Sequence, residues 1–377
     1  MPTISDNETI LNGSLHPLPI STEKWEEYRK QKHLLRPFVR GFYDLQTMRI
    51  ESGARLFANF VSKIDWSEYN IEEKPKKGKA KADDDSDFLE NAGADAIPDE
   101  TDMGNVGTNL DDFVSEKNAI KAKKSKILMK LLTDDYTLVT ERIARNRSLP
   151  QKTDFKPTPR ISYYTELVLI HNFLTMYNHE KAMLRQLSDI LLDYNVYNHI
   201  LKNTVGIGPT IAGVLISEFD IYFARYPSQF VAYAGLDVGP DGKARSRRAD
   251  HLVKREYRAK DGSIQEKLSI TFNPFLQAKM LAVVGTSFLR TKSPYTEHYY
   301  NYKVRKTAQN ATMEIPRNKI NIHRMAIRYM VSKFLIDLHI KWRELEGLPV
   351  ARPWAEEKLV RTFPHGGIVG VTHMPHA

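Results

Sequence analysis

Between Asn203 and Asp220 the chain reads NTVGIGPTIAGVLISEFD. Glycine adopts backbone angles that other residues avoid, so Gly206 and Gly208 permit a tight turn. Pro209 suits the first position of a helix, where no amide hydrogen is needed. The stretch therefore predicts helix, turn, helix. Amides at the start of the second helix, with its dipole, favour an anion. That makes Gly206, Gly208 and Thr210 candidate phosphate-binding residues. The same glycines also serve close packing of Val205, Ile207 and Ile211, and a lone Gly-x-Gly does not separate the two readings.

The next segment, FARYPSQFVAYAGLDVGPDGKARSRRADHLVKREYRAK, predicts an aromatic-rich helix, a turn and a basic ribbon. Lys243, Arg245, Arg247, Arg248, Lys254, Arg255, Arg258 and Lys260 are interrupted only by Asp250 and Glu256. Arginine offers a planar fork to phosphate, and such contacts set register and affinity rather than read bases. DGSIQEKLSIT predicts a short strand or hairpin returning to the core, and Asn273–Pro274 predicts the cap of a following helix. The last amphipathic helix carries Arg317, Lys319, Arg324 and Arg328 near its start. Arg317, Lys319 and Arg324 join the candidate phosphate-binding residues. Met325, Tyr329, Phe334, Leu338, Trp342 and Leu345 form its expected core face, and Gly347 and Pro349 its stop.

The elements that position these residues follow from pattern and charge. The chain has 377 residues, a formal charge of +9 and no cysteine, which excludes disulfides, thiolate metal sites and cysteine nucleophiles. Asp83 to Glu116 holds twelve carboxylates and no Lys or Arg, so the remainder carries +21. Charge of that size suits a polyanionic partner. No apolar run approaches the ~20 residues of a membrane span. The N-terminus lacks the basic start and apolar core of a signal peptide. A cytoplasmic protein without a membrane partner is expected.

Residues 1–20 are expected to be a flexible tail and 21–73 a helical segment with Pro37 near its start or at a kink. Phe38, Phe42, Leu45, Ile50, Leu56, Phe57 and Phe60 form its apolar stripe. Arg36, Arg40, Arg49 and Arg55 recur between them and are candidate DNA contacts, with a solvated face as the alternative. Residues 74–117 read as a disordered acidic linker. Helical patterns over Glu116–Leu149 and Ile161–Lys202, split by SLPQKTDFKPTPR, predict a coiled-coil hairpin over 118–203 and self-association as a homodimer. A compact domain is expected over 204–350 and a tail over 351–377.

Catalytic constellations are sparse. Asp134–Asp135 and Asp83–Asp85 read as solvated helix surface and loop, and His171–Asn172 lacks metal-ligand partners at suitable spacing. No cofactor or metal is expected.

The run VGIGPTIAGVLISEF…YAGLDVGPDGKARSRR…NPFLQAKMLAVVG…WRELEGLPV resembles the C-terminal domain of bridge-RNA-guided insertion-sequence transposases over about Thr204 to Val350. Preceded by a coiled coil, it is also similar to the Nop domain of box C/D ribonucleoproteins. The combination most resembles the Tas proteins of tandem interspaced guide RNA systems. That resemblance implies a mainly α protein with a C-terminal Nop-like α/β domain containing a helix-hairpin-helix. It implies a small guide RNA and a double-stranded DNA target as partners. Some members of that family carry a RuvC-like or HNH nuclease and some carry none. Here the first 150 residues lack the strand–helix alternation of a RuvC-like fold. Pro240–Asp241 also stand where the transposases hold a nucleophilic serine, with Ser246 and Ser263 outside that motif. The expected function is RNA-guided DNA binding without an intrinsic nuclease. The alternatives are a transposase-related recombinase and an RNA-binding structural protein.

Overall fold

The computed structural model describes residues 22–69, 71, 111–141, 149–239, 241–259, 262–313 and 316–350. The expected tails, most of the acidic linker, Pro240 and Lys260 lie outside them. The protein is mainly helical. Helix α1 spans Thr22–Phe60, with Pro37 inside it. Helix α2 spans Asp111–Glu141 and so begins before the expected end of the linker. Helix α3 spans Tyr164–Leu191.

The expected helix over Ile161–Lys202 is interrupted. After Leu191 the chain turns, Asn198 Nδ2 donates to the Leu192 carbonyl at 2.7 Å, and a π-helical segment follows over Tyr197–Leu201. A side chain that satisfies a carbonyl freed at a helix end lets the helix stop there.

Two hydrophobic clusters organise the chain. The first joins Leu56 and Phe60 of α1, Leu128 and Leu132 of α2, and Leu167, Ile170 and Phe173 of α3. The two expected coiled-coil helices thus belong to a three-helix bundle completed by the end of α1. Part-buried polar links fix it. Arg160 makes a bidentate ion pair with Asp135 at 2.8 and 3.0 Å, and Tyr136 Oη lies 2.7 Å from His171 Nδ1. Asp135, expected on a solvated face, is buried because Arg160 reaches it from the connecting loop.

The second cluster surrounds helix α4, Pro209–Glu218, in which every residue from Ile211 to Glu218 is buried. Burying Val214, Leu215 and Ile216 contributes ~1.5–3 kcal/mol each. Leu35, Val39 and Phe42 of α1 pack here, as do Leu187 and Leu191 of α3. Gly213 lets the helices cross closely, since a Cβ there would lie 3.1 Å from Val39 and 3.2 Å from Leu187. The N-terminal helix therefore contributes to both cores.

The rest of this core comes from short α5 (Pro227–Tyr233), from α6 (Pro274–Ala278) and α7 (Gly285–Thr291) joined through a π-helical segment at Lys279–Val284, and from α9 (Lys319–Leu345). Helix α8 (Thr296–Ala311) packs on α9. Asn273 caps α6 as its sequence predicts, its side chain accepting from the Leu276 amide at 3.2 Å. Phe334, Leu338 and Trp342 are buried in α9, whereas Tyr329 is half-buried and Leu345 is exposed. Gly347, at φ +67°, ends the helix.

Strand β1 (Val253–Arg258) and strand β2 (Ile264–Ser269) form an antiparallel pair in which Arg255 faces Lys267 and Glu256 faces Glu266. This hairpin was expected to return to the core. It stands in solvent instead, with Ile264 74 % and Leu268 53 % exposed. The α/β character expected of the C-terminal region amounts, among the described residues, to this hairpin.

Candidate nucleic-acid interface

The basic ribbon grows from the turn after α5. Gly235, at φ +65°, reverses the chain. Its carbonyl accepts from Gln277 Nε2 at 2.7 Å and from Arg328 Nη1. Burial lowers the Arg328 pKa from its ordinary value, with nearby Asp237 opposing the shift. The root of the ribbon is thereby tied to α6 and α9.

Beyond the root, Val238 and Ala244 form a bridge, and the Gly239 amide donates to the Lys243 carbonyl at 2.7 Å. His251, only 2 % exposed, closes the loop. Its Nδ1 accepts the Ser246 amide at 3.0 Å, so the proton of the neutral ring sits on Nε2, which lies 3.0 Å from Asp241 Oδ1. Ser246 Oγ lies 3.1 Å from the same Nδ1 and accepts from Arg248 Nε at 3.1 Å. The backbone amide of Lys243, followed by His251 and Arg248, holds the Asp241 carboxyl below the usual carboxylate range. A Cβ on Gly239 would sit 2.6 Å from His251 Nε2.

This geometry divides the expected RNA contacts. Lys243, Arg247, Arg248, Lys254, Arg255 and Arg258 are exposed on the loop and hairpin. Lys254 pairs with Glu266 at 3.0 Å, and Arg258 Nε donates to the Gly262 carbonyl at 3.4 Å. Arg245 is different, since its Nη2 lies 2.6 Å from Asp237 and it braces the ribbon root. That carboxylate raises the Arg245 pKa. Lys260 lies outside the described residues.

The glycine turn also divides. Gly206 has φ +93°, its carbonyl accepts from Ser287 Oγ at 2.8 Å, and a Cβ there would stand 2.7 Å from Phe288. It packs the turn against α7. Gly208 is exposed, a Cβ there would meet nothing within 4 Å, and Thr210 is half-buried beside it. Arg317, Lys319 and Arg324 are exposed before and along the start of α9.

The candidate DNA contacts on α1 have internal partners. Arg36 and Arg40 reach buried Glu218 at 3.0 and 2.6 Å, where Asn273 Nδ2 also donates at 2.7 Å. Arg40 further lies 3.5 Å above the Phe275 ring. Arg49 is buried and paired with Glu180. Arg55 is exposed, 3.5 Å from Glu51 one turn away. The arginine spacing that suggested a phosphate-facing stripe therefore also serves to join α1 to α4 and α3.

Sequence reading missed a cluster on α8 and α9. Tyr302 and Tyr329 stack with ring centroids 4.7 Å apart. Arg305 lies 5.2 Å and Lys306 5.7 Å over Tyr302, and Lys333 lies 5.5 Å over Tyr329. The signal was present in TEHYYNYKVRKTAQNA, where Tyr299, Tyr300 and Tyr302 run into Lys303, Arg305 and Lys306 and Glu297 is the single acid.

Fold and surface together define a mainly helical protein whose C-terminal region carries an exposed basic ribbon on a helical core. Among the described residues no group of His, Asp and Glu could hold a metal ion, and no helix is long and apolar enough to cross a membrane. Comparison of the chain with protein-family models, curated proteins and solved structures gives no match.

Proposed function

We propose that the protein is an RNA-guided DNA-binding protein of the tandem interspaced guide RNA type. It assembles with a small guide RNA and addresses double-stranded DNA without an intrinsic nuclease, and residues 204–350 act as a Nop-like unit entered through the helix-hairpin-helix at Gly206–Pro209. The observation that carries this reading is the ribbon. Its cations at Lys243, Arg247, Arg248, Arg255 and Arg258 are exposed, while its root is braced by Arg245, Gln277 and Arg328. A charged surface held on a fixed base fits backbone recognition, and base pairing by the RNA supplies the choice of DNA. Purifying the protein from its host and sequencing the bound nucleic acid tests the reading. A discrete small RNA, which then directs uncut binding of a complementary duplex, is expected. Absence of RNA, or metal-dependent cutting by protein and RNA alone, overturns it.

One observation favours a second reading, a recombinase. Ser246 Oγ stands 3.1 Å from His251 Nδ1, and His251 stands 3.0 Å from Asp241. A serine beside a base and flanked by arginines has the make-up of a nucleophile toward a phosphodiester. The same histidine nitrogen also takes the Ser246 amide, as a loop staple requires. A covalent protein–DNA adduct that disappears in Ser246→Ala would establish this reading.

A further inference from the structure

The tyrosine–cation cluster lies outside the ribbon, and its rings, Arg305, Lys306 and Lys333 have no part in the function argued so far. Tyr302 and Tyr329 are half-buried, with exposed Arg305 and half-buried Lys306 and Lys333 around them, and exposed Arg317 is near enough for its charge to act on the Tyr302 hydroxyl. Among the described residues none of Arg305, Lys306 and Lys333 has a carboxylate within ion-pair distance. Lys306 Nζ donates instead to Gln309 Oε1 at 2.9 Å. Three like charges over one pair of rings repel one another, and the ring faces offset only part of that cost. An anion set between the cations relieves the rest. Helix α9 offers no acid from Lys319 to Ile336, so the charge continues along the surface.

We propose that this face of α8 and α9 is a second contact for single-stranded RNA, with Arg305 offering its outer plane to a base and Lys306, Lys333 and Arg317 holding the flanking phosphates. The inference rests on the nucleic-acid reading above. The choice of single-stranded RNA follows from chemistry. Guanidinium and aromatic planes stack on unpaired bases, which a duplex keeps stacked within itself. An acidic peptide matches the charge but has no use for the layered planes.

The test measures binding of a labelled oligouridine by fluorescence anisotropy across a salt series. The proteins are wild type, Arg305→Ala/Lys306→Ala/Lys333→Ala, and a ribbon variant, Arg247→Ala/Arg248→Ala. With Lys306 and Lys333 each neutralising a phosphate, the first variant flattens the log–log salt slope by about 1.4 units, at roughly 0.7 per contact. Arg305→Ala alone weakens binding about five- to a hundredfold through lost stacking. A wild-type slope and affinity in the triple variant overturn the α8–α9 contact while leaving the nucleic-acid reading intact. Failure of the wild type to bind the oligouridine overturns both. Loss of duplex binding with oligouridine binding unchanged also overturns the proposal. Circular dichroism checks the fold, and Arg305→Glu at a single exposed position replaces the triple variant if that variant melts early.

Discussion

Gly206 and Gly208 stand two residues apart and answer to different forces. At Gly206 a side chain meets both a positive φ and the Phe288 ring. At Gly208 it meets open space at φ −93°. Gly206→Ala is therefore expected to destabilise the protein by ~1–3 kcal/mol, and Gly208→Ala by less than ~1 kcal/mol. Thermal unfolding of the two variants checks this, and equal melting temperatures would refute it. His339 supplies a pH prediction. It is fully buried, its Nε2 lies 2.9 Å from the Ala224 carbonyl, and its Nδ1 has no partner. Burial pushes its pKa down to about 4, with the Arg343 charge acting in the same direction. The unfolded chain, at about 6.5, binds the proton more readily. This contribution is thus fully present above pH ~6.5 and is lost as pH falls toward ~4. Denaturant titrations should show wild-type stability declining through that window and a shallower decline in His339→Gln.

At the scale of elements, the β1–β2 hairpin and α4 are opposites. The hairpin exposes both faces, and an isolated two-stranded pair is at best marginally stable in water. Replacing residues 253–269 with a short glycine linker is expected to leave the melting temperature within about two degrees, because the hairpin buries no core side chain. RNA affinity should fall in the same protein. A collapse of the fold would mean that the hairpin is structural. Helix α4 tolerates far less, since Glu218 at its end anchors Arg36, Arg40 and Asn273. Glu218→Ala leaves the buried Asn273 amide and the part-exposed Arg36 and Arg40 guanidiniums without their partner, at a cost of ~1–3 kcal/mol. Chemical denaturation measures that loss, and a change below ~1 kcal/mol would show that the ion pairs contribute little.

For the whole molecule, self-association has a direct physical handle. Helices α1 and α3 leave Met48 59 % and Leu169 38 % exposed around a shallow cavity that also takes in Met176. Exposed apolar side chains grouped on one surface favour a partner of similar character. A homodimer is expected by light scattering, with and without RNA. It should weaken in Met48→Glu/Leu169→Glu, and a monomer under both conditions would exclude the arrangement.

Periodicity made the helical class legible, because a stripe such as Leu56, Phe57 and Phe60 reflects the 3.6-residue repeat of the backbone itself. Local chemistry likewise determined the Asn273 cap, the stop at Gly347 and the exposed cations of the ribbon. Tertiary structure decided how these features are shared out. Only packing shows that α1 enters both cores, that Arg40, Arg49 and Arg245 face carboxylates distant in sequence or across a turn, and that Tyr329 leaves the core to stack on Tyr302. A sequence lists charges and rings without their neighbours. Whether an arginine meets solvent or Glu218 depends on which helix crosses it, and that is settled by the sum of all the contacts in the core.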